Sequence, residues 1–140
     1  MDIPSNILSN HIQRGAILHS TMFDEIDHGK YFVVIGVSEK YIAGFFFINS
    51  NIHPTISNKP EQLAMQYPLK HSDYNFLKYD SFLCATNIIK RPISYITESL
   101  ESGNTRFIGN MKEEHLKEVL EKARLSRLFS QKDKEQFFYE

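Results

Sequence analysis

The sequence predicts a mainly β domain with one helix near its C-terminus: a small curled β-barrel or twisted sheet with that helix packed on it. Three observations carry this reading. Several β-branched and aromatic runs are too short and too continuous to be surface helices. Glycines interrupt two of those runs, as happens where a sheet bulges or bends. A single amphipathic stripe with helical spacing comes late in the chain. The length of 140 residues is that of one domain, enough to enclose one core but not two.

Taken in order, PSNILSNHIQRG suits a short helix, with Pro4 in its first turn and Gly15 at its end, forming an N-terminal extension over residues 1–14. AILHS predicts a first short strand and YFVVIGVS a second. IAGFFFINS predicts a third, separated from the second by EKY, which suits a hairpin. Gly36 and Gly44 lie inside the second and third. Within Phe45–Phe46–Phe47, alternate residues face opposite ways, so two of the three are expected in the core and one is left to stack on a ligand.

NIHPTISNKPEQ is polar and punctuated by proline, which predicts a loop. LAMQYPL alternates weakly and reads as an edge strand, because Pro68 cannot donate to a ladder. HSDYNFLKYD is a turn region leading into SFLCATNII, read as one strong strand with KRPISYI as its exit. ESLESGN predicts a turn or a single helical turn, and TRFIGN a last short strand. That makes about five or six strands in all.

The clearest helix follows. Asn110 is a candidate N-cap, with Glu113 three residues on as in a capping box. Leu116, Val119, Leu120 and Ala123 form one apolar stripe, while Lys117, Glu118, Glu121 and Lys122 make a solvated face. Residues 126–140 form a charged tail that either frays or docks Phe137 and Phe138 on the body or on a partner.

Sixteen Lys and Arg residues balance seventeen Asp and Glu, a net charge of −1. Total charge therefore advertises neither a nucleic-acid nor a membrane partner. Cys84 is the one cysteine, so an internal disulfide and a Cys-rich zinc site are both excluded. Its neighbours Leu83 and Ala85 suggest an inert, reduced thiol in a buried strand. The first residues lack the basic flank and apolar run of a signal peptide. No segment approaches the roughly 18 apolar residues of a membrane span. A soluble, cytoplasmic protein is expected. His71 and Asp73 lack metal-ligand spacing, and His11, His19 and His115 are scattered. There is no H-E-x-x-H, no Gly-rich phosphate loop and no G-x-S-x-G, so neither a metal nor a cofactor is expected.

Three collinear blocks carry a resemblance. GAILHS, a turn and GKYFVVIG resemble the opening strand, basic turn and second strand of the MazF/PemK family of bacterial toxins. FLKYDSFLCATNI is similar to that family's segment ahead of its late strands. RFIGNMKEEHLKEVLEKA is similar to its closing strand, short turn and acidic-start helix. Together they span about Gly15 to Leu125, which sets the expected domain at residues 15–125. The resemblance implies an SH3-like barrel, a homodimer, metal-independent endoribonuclease activity on single-stranded RNA, and neutralisation by an antitoxin protein.

Cleavage of that kind uses the RNA's own 2′-hydroxyl as nucleophile. A base takes its proton, an acid protonates the leaving 5′-oxygen, and cations or N–H donors hold the phosphorane charge. The related toxins place an arginine in the turn before the second strand. Here Tyr31 falls at that place, with Lys30 beside it and His28 two positions before Lys30. Lys30 supplies charge but not the planar fork that suits phosphate. His28 is an acid or base candidate because imidazole titrates near neutral pH. At the end of the third strand Asn49 and Ser50 stand where the family has a hydroxyl residue. His53, held extended before Pro54, is a second acid or base candidate. Lys90 and Arg91 are candidate contacts to the RNA backbone, as are Tyr31 and Asn49. Because the turn lacks arginine, a catalytically inactive barrel that binds protein or nucleic acid is the alternative.

Overall fold

The computed structural model describes residues 12–23, 28–52, 54–56 and 58–139. The expected N-terminal helix lies outside these residues except for its last positions, as does His53. At the centre, the two longest β-branched runs form a hairpin, β2 (Lys30–Val37) with β3 (Ile42–Asn49). Its turn is closed by Ser38 and Ile42, and Tyr41 adopts φ +60° there. β1 (Ala16–Ser20) pairs antiparallel with β2 on the other side. Next come a short helix α1 (Pro60–Leu63), β4 (Gln66–Leu69), β5 (Ser81–Cys84), β6 (Ile89–Pro92), α2 (Ile93–Ser102), β7 (Thr105–Asn110), α3 (Glu113–Leu125) and α4 (Gln131–Phe137).

The chain is thus mainly β with a helix near its C-terminus, as its sequence predicts. All ladders are antiparallel, in the order β4-β5-β3-β2-β1-β7, with β6 also beside β3. β4 is an edge strand, as Pro68 requires. The sheet is open, and among the described residues no ladder joins β4 to β7.

Alternation sends side chains to two cores. Ile17, Val33, Ile35, Phe46 and Ile48 bury one face, beneath Val119, Leu120 and Ala123 of α3 and Phe137 and Phe138 of the tail. Leu18, Phe32, Val34 and Phe45 bury the other, beneath Ile96 of α2. Phe45 and Phe46 are both fully buried, on opposite faces, and Phe47 is half-buried. Each such ring contributes about 1.5–3 kcal/mol relative to exposure.

The structure corrects four expectations. The strand expected over SFLCATNII stops at Cys84, and β6 begins only at its last residue, Ile89. Phe45 and Ile48 share rungs with Ile89 and Leu83, three residues apart on β3 but six apart on the other side. The surplus loops out between β5 and β6, so β3 carries two partners along one edge. Cys84 is half-buried rather than buried, its sulfur 3.4 Å from Gln66 Nε2 and 3.2 Å from Thr86 Oγ1.

Residues 93–102, expected as a strand exit followed by a turn or a single helical turn, form the ten-residue helix α2. Pro92 fixes the entry, Ile93, Ile96 and Leu100 line one face on the sheet, and Gly103 ends it at φ +85°. Asn110 does not cap α3. It is the last rung of β7, opposite Ala16, and the helix starts after extended Lys112 with Glu113 and Glu114 in its first turn. There the carboxylates complement the helix dipole.

The tail docks. Ser130 caps α4 by accepting the Asp133 N–H, and Phe137 and Phe138 are both buried. Gly36 and Gly44 provide the seat. They are paired across the hairpin beside a bulge, and the Phe137 backbone crosses Gly36 while its ring covers Gly44. The Arg14 guanidinium fastens the tail by donating to Ile35 O, Phe137 O and Tyr139 O at 2.8–3.0 Å. No helix among the described residues is long and apolar enough to cross a membrane.

Candidate functional site

Three strand ends converge on one side of the sheet: the C-terminal end of β1, the start of β2 and the end of β3. Loop 70–80 lies over them. It is knitted by its own bonds, with Asp73 and Tyr74 N–H donating to Lys70 O and Leu77 N–H to Tyr74 O. The His71 N–H donates to the Asp80 carboxylate at 2.8 Å, and the His71 ring Nδ1 meets Leu77 O. These local bonds hold the loop in shape without a ligand.

Between loop and strand ends runs a groove. Its inner part, about 360 Å³, is lined by His28, Lys30, Tyr31, Ile48, Ser50 and Phe76, among others. Its outer part, about 700 Å³, is lined by Ser50, Asn51, His71, Lys78, Tyr79 and Asp80. Ser50, Lys78 and Tyr79 line both parts.

Lys30 is anchored. Its ammonium donates to Asn49 Oδ1 and lies 5.5 Å from the Phe47 ring centroid. Burial lowers its pKa, opposed by the nearby Cys84 thiol. A desolvated ammonium with part of its hydration replaced by an amide and a ring is readied to donate to an anionic oxygen. Tyr31 is wedged between two rings, His19 at 4.6 Å and Phe76 at 4.9 Å. His28 is exposed in the groove wall two residues from Lys30, its Nδ1 3.1 Å from Gly29 O.

Four of the candidates read from sequence, His28, Lys30, Tyr31 and Ser50, therefore line one groove, and Asn49 sits behind Lys30. Lys90 and Arg91 do not join them. They pair with Gly44 and Ala43, five residues or more up β3 from Asn49, roughly 17 Å at about 3.3 Å per residue. Lys90 is bound to Asp133 at 2.7 Å and lies over the Phe137 ring, and Arg91 lies over the Phe23 ring. Both brace the fold in those positions.

Sequence reasoning missed His19 and the loop wall. His19 sits directly opposite Tyr31 in the ladder, and its ring fills the space where a side chain at Gly29 would stand. Burial first, then the Arg106 guanidinium across β7, lower its pKa. Only the β1–β2 register places it there. Phe76, Lys78 and Tyr79 arrive from a segment distant in sequence, and Tyr79 is exposed. Among the described residues no three His, Cys, Asp or Glu side chains come together to hold a metal ion. No protein-family model matches the chain, and no curated protein matches it significantly.

Proposed function

We propose that the groove binds single-stranded RNA and cleaves it as a metal-independent endoribonuclease, in the manner of the MazF/PemK toxins that the sequence resembles. What supports this reading is one observation: His28, Lys30, Tyr31 and Ser50, singled out from sequence, line a single groove together with Lys78 and Tyr79. Cations for phosphate, a hydroxyl, an imidazole and an exposed ring for base stacking are the groups such a reaction needs.

In this scheme Lys30, held by Asn49, donates to a non-bridging phosphate oxygen as the phosphorane forms, with Lys78 adding charge and Ser50 a second donor. His28, exposed in the groove wall, exchanges a proton with the reacting oxygens. The 2′-oxygen attacks the adjacent phosphorus after losing its proton to a base. The 5′-oxygen leaves as it gains a proton from an acid, so the products are a 2′,3′-cyclic phosphate and a 5′-hydroxyl. A homodimer, an antitoxin partner and a cytoplasmic location belong to the same proposal.

One observation favours a second reading. Tyr31 stands where the related toxins have arginine, and its ring is packed between His19 and Phe76 rather than offered to phosphate. On that reading the groove is an RNA- or protein-binding surface without catalysis. Incubating purified protein with single-stranded RNA in EDTA separates the two. Fragments ending in cyclic phosphate support the nuclease, and intact RNA at high protein concentration supports the binding module.

A further inference from the structure

On the far side of Phe76 from the groove lies another cavity, about 310 Å³, lined by Ser72, Asp73, Tyr74, Asn75, Phe76 and the β7 residues 108–110, among others. We propose that it is a nucleobase subsite, taking one unpaired base of the RNA held in the groove and so setting sequence preference. The proposal rests on the RNA reading of the groove and goes beyond it by naming the residues that read a base.

The walls have the chemistry a base requires. Tyr74, largely buried, and half-buried Phe76 are both in the lining, their rings 6.2 Å apart and nearly T-shaped, and Tyr31 packs on Phe76 from the groove. Tyr74 cannot swing away. Its phenol oxygen accepts the Lys112 N–H at 3.0 Å and lies 2.8 Å from His115 Nδ1. The lining also includes exposed Asn75 and Asn110, whose amides each carry a donor and an acceptor side by side. That is the edge pattern which distinguishes bases. Nothing lies within 4 Å of where a side chain at Gly109 would stand, so the cavity is open along the β7 backbone.

The charges argue against other occupants. Asp73 is paired with Lys112 at 3.2 Å, so the rim offers no unbalanced cation for a phosphate and no unbalanced acid for a metal or an amine. What remains suits a flat, neutral ligand with hydrogen-bonding edges. Because Phe76 lines both cavities, the two lie side by side, and a strand held in the groove has a neighbouring base within reach of the second one.

The test uses 5′-labelled hexamers of A, C, G or U with 2′-O-methyl groups, which removes the nucleophile and leaves binding alone. Fluorescence anisotropy is expected to show the wild-type protein separating its best from its worst hexamer by about 5-fold or more, the low end of one base contact. Asn75→Ala/Asn110→Ala is expected to compress that spread to within about 2-fold, leaving the weakest hexamer's affinity unchanged. Phe76→Leu is expected to weaken all four, as loss of stacking does. Both amides are exposed, so the fold is expected to survive, and Asn75→Ala alone gives the same test if the double change disturbs β7. Equal binding of all four hexamers by wild type, or an undiminished spread in the amide variants, overturns the subsite. Parallel incubation of unmodified RNA in EDTA reports the nuclease reading separately. A spread abolished by the amide changes without any cleavage keeps the subsite and removes catalysis; no binding of any hexamer overturns the subsite, and together with uncut RNA it removes both.

Discussion

His19 and Tyr31 face each other across the β1–β2 ladder, their ring centroids 4.6 Å apart and their planes at 63°. Burial and the Arg106 guanidinium keep the imidazole below its ordinary pKa of 6.5. Folding therefore favours the neutral ring. The stability this gives is fully present above about pH 6.5 and is lost as pH falls through the lower, folded value, because the unfolded chain takes up the proton first. Thermal unfolding midpoints are expected to fall as pH drops from 7.5 through 6. His19→Gln should flatten that slope, and an unchanged slope would assign it to other groups.

Lys30 is the anchored cation of the groove, so on the proposed nuclease reading its loss is expected to harm RNA cleavage far more than folding. Lys30→Ala should cut the rate by about 100-fold or more, and His28→Ala by a comparable factor if it moves the proton. Initial rates on a fluorescent RNA, compared with circular dichroism of the same preparations, check this. A pH–rate profile that loses one limb in His28→Ala would place the proton transfer there.

Gly36 and Gly44 have no room for a side chain. A Cβ at Gly44 would come 2.6 Å from Ile88 Cδ1 and 2.7 Å from Phe137 Cδ1, and one at Gly36 would meet the Phe137 backbone. Gly36→Ala and Gly44→Ala are each expected to destabilise by about 1–3 kcal/mol, the range for overpacking. Gly36→Ala should be the harder of the two to accommodate, since backbone yields less than a ring. Urea unfolding midpoints decide it.

Phe138 is fully buried at the end of α4, edge-to-face with Phe129 at 4.9 Å, with its carbonyl accepting the Arg124 Nε–H at 2.7 Å. Phe138→Ala is expected to cost about 3–5 kcal/mol. An unchanged urea m-value alongside the lower midpoint would show that the rest of the fold survives.

The parts legible in the sequence were those decided by local physics. β2 and β3 are continuous β-branched and aromatic runs, and α3 shows its stripe plainly in Leu116, Val119, Leu120 and Ala123. The elements that escaped were decided by tertiary context. Ile93, Ile96 and Leu100 have helical spacing, but the β-branched, proline-led segment around them also suits a strand. The break between β5 and β6 exists because β3 offers two separate stretches of edge, which no local preference in SFLCATNII encodes. The site divided the same way. The turn carrying His28 and Lys30 and the strand end carrying Ser50 could be found from pattern and resemblance. His19 and the wall of loop 70–80 needed the register and a chain crossing from elsewhere.

The glycine seat on the hairpin has a consequence in time. Phe137, its occupant, is joined to the chain about a hundred residues after Gly36. At roughly 5–20 residues per second, synthesis leaves that shallow apolar saddle uncovered for about 5–20 s. During this interval the nascent sheet has a vacancy shaped for an aromatic ring, and a chaperone or a neighbouring nascent chain can compete for it before the protein's own tail arrives.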